Sequence, residues 1–117
     1  MLLQHLAQAA LEKFDKPAFI ICSTSLTTAG VMLDGETLIR SIEKVVGPQV
    51  SMFGGMAGDD MTFKGTYVFA NEQSTDYGVA ALVLNEDKIA MQGVALSGWK
   101  PIGVSRTITK EQRKFVV

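Results

Sequence analysis

The chain has 117 residues, enough for one modest domain and too few for two ordinary ones. Eleven Lys and Arg against twelve Asp and Glu leave a formal net charge of -1 with no basic cluster, which argues against a nucleic-acid partner. A 47% hydrophobic content exceeds what a small solvated domain needs, so part of the surface is expected to be covered by another domain or another copy.

One cysteine, Cys22, cannot make an internal disulfide, and the first residues carry no leader of signal-peptide type. Both features fit the cytoplasm. No apolar run approaches the roughly 20 residues that span a bilayer, so direct membrane insertion is not expected.

Residues 2 to 14 place Leu3, Leu6, Ala7, Ala10 and Phe14 at helical spacing, and Asp15-Lys16-Pro17 ends that helix. Ala18 to Cys22 is continuously apolar, as expected of a strand buried on both faces, and polar residues from Ser23 to Thr28 collect at its carboxyl end. A second helix is bounded by Asp34 as N-cap, Gly47 closing the end in the left-handed conformation, and Pro48 beyond it. Leu38, Ile42 and Val45 form its apolar stripe, while Glu36, Arg40 and Lys44 stand four apart on a solvated face.

Val50 to Phe53 reads as a strand, which makes residues 18 to 53 a strand-helix-strand unit with a right-handed parallel crossover. Thr66 to Ala70, Gly78 to Leu84 and Lys88 to Leu96 follow as extended runs of a meander. The last two should pair as a hairpin across Asn85-Glu86-Asp87. Arg106 to Thr109 adds a further short strand, and Lys110 to Lys114 is polar before Val116-Val117. The expected class is α+β, with two helices packed on a mixed sheet.

Cys22 and His5 are the only thiol and imidazole, so a Cys-His hydrolase has to be weighed. A cysteine ending an apolar strand reads instead as a packed residue, and no carboxylate is expected beside His5 to orient it. One Cys and one His cannot hold structural zinc, and Asp59-Asp60 lack the spacing of a calcium loop, so neither metal nor cofactor is expected.

The segment Gly54-Gly55-Met56-Ala57-Gly58-Asp59-Asp60 resembles a phosphate cradle, but it fits neither glycine-rich fingerprint and places two acids at its mouth. Its glycines can equally be turn residues. A carboxylate on such a turn suits the ammonium or hydroxyl groups of a small ligand better than a phosphate. In the segment Ser97-Gly98-Trp99-Lys100-Pro101, Trp99 either caps the sheet or walls a pocket, and Lys100 could face a ligand carboxylate. Ser97 lacks the preceding glycine of a nucleophile elbow.

Read in order with Phe63 to Phe69, Gly78 to Leu84 and Gly98-Trp99-Lys100-Pro101-Ile102-Gly103, these segments resemble the FIST N-terminal domain, most strongly over residues 18 to 109. The resemblance covers the later half of that domain and implies a fragment lacking earlier strand and helix segments. It implies an intracellular sensory module of signal transduction that binds amino acids or similar metabolites without catalysis. The ligand would meet Gly54, Gly55, Gly58, Asp59, Asp60, Gly98, Trp99 and Lys100. Partners so implied are a small molecule, a C-terminal FIST domain and an output domain in a longer parent, or further copies of the chain through an exposed sheet edge. The rival readings are a half-site of a hydrolase or transferase using Cys22 or Asp59, and a purely structural interaction module.

Overall fold

Helix α1 forms over Leu2–Lys13 and helix α2 over Gly35–Val46. The computed structural model describes residues 2–107 and 109. Asp34 caps α2 as the sequence predicts, accepting the backbone N–H groups of Glu36 and Thr37 at 3.1 and 3.2 Å. At the other end Gly47 donates its N–H to the Glu43 carbonyl with φ +91° and ψ 160°. The positive φ is as expected, but the extended ψ departs from the left-handed cap. The Arg40 guanidinium meets the Glu36 carboxylate at 2.6 Å on the solvated face.

Strand β1, Pro17–Ser23, is central in a three-stranded sheet. It pairs parallel with β2, Met52–Met56, and antiparallel with β5, Val79–Asn85. The resulting mixed sheet under two helices is the α+β architecture read from the sequence. Strands β3, Val68–Ala70, and β4, Gln73–Thr75, form a separate hairpin.

Both helices cover one face of the sheet, where Phe19 and Ile21 meet Ala7 and Ala10 of α1 and Ile42 and Val46 of α2. The buried stripe of α2 therefore ends on Val46, and Val45 is only partly covered. Met52, Ala81 and Val83 extend this core from the flanking strands. Period-two alternation sends Ile20 and Cys22 to the other face, where Ile20 is 39% exposed and Cys22 is exposed. The expectation of a strand buried on both faces holds at Ala18, which is fully buried, and is corrected at Ile20 and at Cys22, which is not packed: helices cover only one side of the strand.

Three further expectations change. Strand β2 starts at Met52 and runs through Gly54 and Gly55, so that pair lies in the ladder opposite Ile21 and Cys22 rather than on a loop. A Cβ on Gly54 would fall 1.9 Å from the Ile21 carbonyl oxygen, which explains why glycine stands there.

The hairpin between β5 and residues 88 to 96 is not formed, and the reason lies in its turn. Tight hairpins close on type I′ or II′ turns, or on a type I turn followed by a left-handed residue, so each needs at least one positive φ. Asn71 and Glu72 provide φ of +51° and +65°, and they close β3 onto β4. Glu86 and Asp87 are not among the residues with positive φ, and Lys88 and Ile89 both donate to the Asn85 carbonyl at 3.1 and 3.2 Å. That helix-like turn splays the chain away from β5. Residues 106, 107 and 109 carry no strand, while residue 108 and the polar tail from 110 lie outside the described residues.

Candidate functional site

Because β1 and β2 are parallel, their carboxyl ends emerge on one side of the molecule, the position at which open α/β sheets present ligand crevices. Three connections meet there and are tied by hydroxyls. The Thr24 hydroxyl accepts the Gly78 N–H at 3.0 Å, and the Ser25 hydroxyl donates to the Ala57 carbonyl at 2.6 Å. The Thr66 oxygen accepts the N–H groups of Ser25 and Leu26 at 2.8 and 3.1 Å and donates to the Leu26 carbonyl at 3.0 Å. Thr28 donates backbone and side-chain hydrogens to one oxygen of Asp76. Ser23, Thr24, Thr27 and Thr66 are buried, so this polar run after β1 fastens the connections together.

The first glycine segment leaves β2 at this end. Gly58 is exposed, and a Cβ there would meet nothing within 4 Å. Asp59 accepts the Met61 N–H at 2.8 Å through Oδ1, while its buried Oδ2 has no partner among the described residues. Asp60 is exposed and accepts the Thr62 hydroxyl at 2.7 Å, and that bond holds its carboxyl below the usual range. Both acids thus shape their own turn, with Met61 and Phe63 at positive φ immediately after them.

The second segment stands apart. Trp99 is 93% exposed, Lys100 is exposed, and a Cβ on Gly98 would meet no atom within 4 Å. The Trp99 N–H donates to Ser97 Oγ at 3.1 Å, a contact local to the segment. Gly98, Trp99 and Lys100 line neither of the two clefts at the strand ends, whereas Gly54 and Gly55 line one of them.

Those clefts flank the first turns of α2. The larger, about 350 Å³, lies between Leu3 of α1, residues Leu33, Asp34, Thr37 and Leu38 around the start of α2, and Tyr77 to Val79 leading into β5. The second, about 300 Å³, lies beyond Leu38 and is bounded by Gly35, Ile39 and the β2 residues Met52 to Met56. The larger is mostly apolar, with Asp34, Thr37 and the exposed ring of Tyr77 at its polar margin. The Thr37 hydroxyl, donating to Asp34 Oδ2, holds the Asp34 carboxyl below its ordinary value, so the cleft carries an anion at neutral pH.

Sequence reasoning gave Asp34 a capping role alone and singled out Tyr77 for nothing. The available signal was the polar run at the carboxyl end of β1, which marks this edge of the sheet. Cys22 and His5 are separated by the sheet itself, since α1 packs on the face opposite Cys22. Among the described residues no group of three or more His, Cys, Asp and Glu could hold a metal ion. Nor, among those residues, is any helix long and apolar enough to cross a membrane.

No curated protein and no solved structure matches the chain significantly. The sequence model described as FIST N domain matches residues 2–117, which extends the likeness seen over residues 18 to 109 to include α1. The chain belongs to the FIST N domain family, whose members are sensory domains of signal transduction proteins.

Proposed function

We propose that the chain binds a small metabolite in the larger cleft beside α2 and reports its occupancy without catalysing a reaction. The observation that carries this reading is the cleft itself: about 350 Å³ of mainly apolar space at the carboxyl ends of the parallel strands, with one ionised carboxylate at its rim. Such a lining suits an amino acid or related metabolite whose apolar part meets Leu33, Leu38 and Val79 and whose ammonium faces Asp34.

A ligand there touches both α2 and the connection into β5. It signals by favouring one arrangement of those two elements, which an output domain reads. Gly54 and Gly55 act as the wall of the neighbouring cleft, and Gly98, Trp99 and Lys100 make no ligand contact in this reading. The separation of Cys22 from His5 supports a sensor over a Cys-His hydrolase, and a single exposed thiol suits the reducing cytoplasm.

Calorimetry of the full chain against a panel of amino acids and small amines tests the site. Asp34→Asn keeps an N-capping side chain but removes the charge, and Tyr77→Ala removes the ring at the rim. Each should weaken binding roughly tenfold, and Trp99→Ala should leave it unchanged. Equal affinity in the wild type, Asp34→Asn and Tyr77→Ala would refute this placement.

A further inference from the structure

The face of the sheet turned away from the helices presents Ile20, Phe53 and Leu82 in one register row, with Leu82 58% exposed, and Cys22 in the next. No charged residue stands in either row. Beyond β5 the chain continues as an apolar segment in which Val94, Leu96, Trp99, Ile102 and Val104 are each at least 80% exposed. A backbone N–H bond from Glu86 to the Lys16 carbonyl at 2.9 Å and the Lys16–Asp87 ion pair at 3.2 Å pin the turn that sends it away from β5. The segment instead reaches Phe53 of β2, the strand furthest from β5, where a Cβ on Gly93 would fall 2.0 Å from the ring.

We propose that this open face and the segment from Ile89 to Val104 form the interface between two copies of the chain. The area decides the occupant. Five nearly bare apolar side chains at roughly 100–150 Å² each, with Ile20 and Leu82 added, offer on the order of 700 Å² per copy. Stable interfaces bury about 600–1,000 Å² from each partner, a range that this area reaches. Each copy carries both an apolar sheet face, on which Ile20 and Leu82 stay exposed beside the Phe53 that its own Gly93 reaches, and an apolar segment that its own turn keeps from pairing with β5. A two-fold arrangement therefore lets each copy place its segment on the other's face, the self-complementarity that isologous dimers require. A formal net charge of -1 per chain and uncharged face rows oppose this association little.

Sedimentation equilibrium of the full chain over a wide concentration range should show a reversible dimer. Leu82→Glu on the face and Leu96→Glu on the segment should each weaken it roughly tenfold or more, and Lys44→Gln on the outer side of α2 should not. Cys22 supplies an independent reading within the unaltered chain: its alkylation by a thiol reagent should slow several-fold as the dimer fills, because the thiol lies on the covered face. A monomer at every concentration would overturn the proposal. A dimer that neither Glu substitution weakens, or that leaves Cys22 as reactive as in the monomer, would overturn it equally.

Discussion

Gly54 and Gly55 are adjacent in sequence, yet the structure demands opposite responses to the same substitution. In Gly54→Ala the new methyl would lie 1.9 Å from the Ile21 carbonyl oxygen and 2.7 Å from its carbon. Those atoms belong to the backbone of the central strand, so relief requires parting β1 from β2 where the two are paired. Ordinary overpacking of side chains costs about 1–3 kcal/mol, and a clash with ladder backbone belongs at or above the upper end of that range. In Gly55→Ala the methyl would meet nothing within 4 Å, and replacing a strand glycine stabilises by up to about 1 kcal/mol. The two variants should therefore differ by about 3 kcal/mol or more, which for a chain of this size separates their melting temperatures by roughly 10 °C. Urea and thermal unfolding followed by far-ultraviolet circular dichroism would measure both. Equal stabilities would refute the assignment of Gly54 to a close backbone approach and return the pair to a flexible loop.

Thr66→Val keeps the side-chain volume but leaves the N–H groups of Ser25 and Leu26 without their acceptor, and should cost about 2–4 kcal/mol in urea unfolding. Asp34→Ala should lower the melting temperature more than Asp34→Asn, because only asparagine still caps the first turn of α2. The carboxyls of Asp34, Asp60 and Asp76 are held below their ordinary values chiefly by the hydroxyls of Thr37, Thr62 and Thr28. A depressed folded pKa gives stability that is fully present above the unfolded value and lost as pH falls through the folded one. Stability should therefore be level near neutrality and decline below about pH 4, with Thr28→Val moving the acid transition upward.

What could be read from the sequence was what neighbouring residues decide. The second helix announces itself through Asp34, its apolar stripe and the Gly47-Pro48 stop, all within a few residues of one another, and α1 through its spacing. The failures depend on chain segments meeting from far away. Gly54 and Gly55 look like loop residues until β1 is laid beside them, and Ala18 to Cys22 looks doubly buried until it is known that both helices pack on one side. Asn85-Glu86-Asp87 has the composition of a hairpin turn, but composition does not fix the sign of φ, and Asn71-Glu72 adopted the conformation that the later turn did not. The cleft escaped for the same reason: Asp34 and Tyr77 become neighbours only because β5 enters antiparallel to β1. Trp99 stood out because it is the sole tryptophan, a rarity that says nothing of where its ring lies.

The two proposed surfaces meet on strand β5, whose Val79 lines the larger cleft while Leu82 stands on the open face, and β1 runs beside it. Ser23, at the end of β1, lines the smaller cleft beside α2, while Cys22, one residue earlier, points to the open face. The larger cleft borders α2 and the start of β5, whose Val79 is paired with Ser23. A metabolite that moves α2 against this corner of the sheet can reach, through the strands' twist or spacing, the side that would hold the second copy. Coupling between binding sites is reciprocal, so a metabolite that tightens the dimer must itself bind more tightly to the dimer, by the same factor. Such couplings commonly amount to about 1–3 kcal/mol, or roughly 5- to 150-fold in a dissociation constant. Sedimentation with the metabolite identified by calorimetry, compared with calorimetry at protein concentrations below and above the dimer midpoint, should give matching factors. A dimer constant that is unchanged by saturating metabolite would separate the two surfaces and leave α2 to pass the signal by another route.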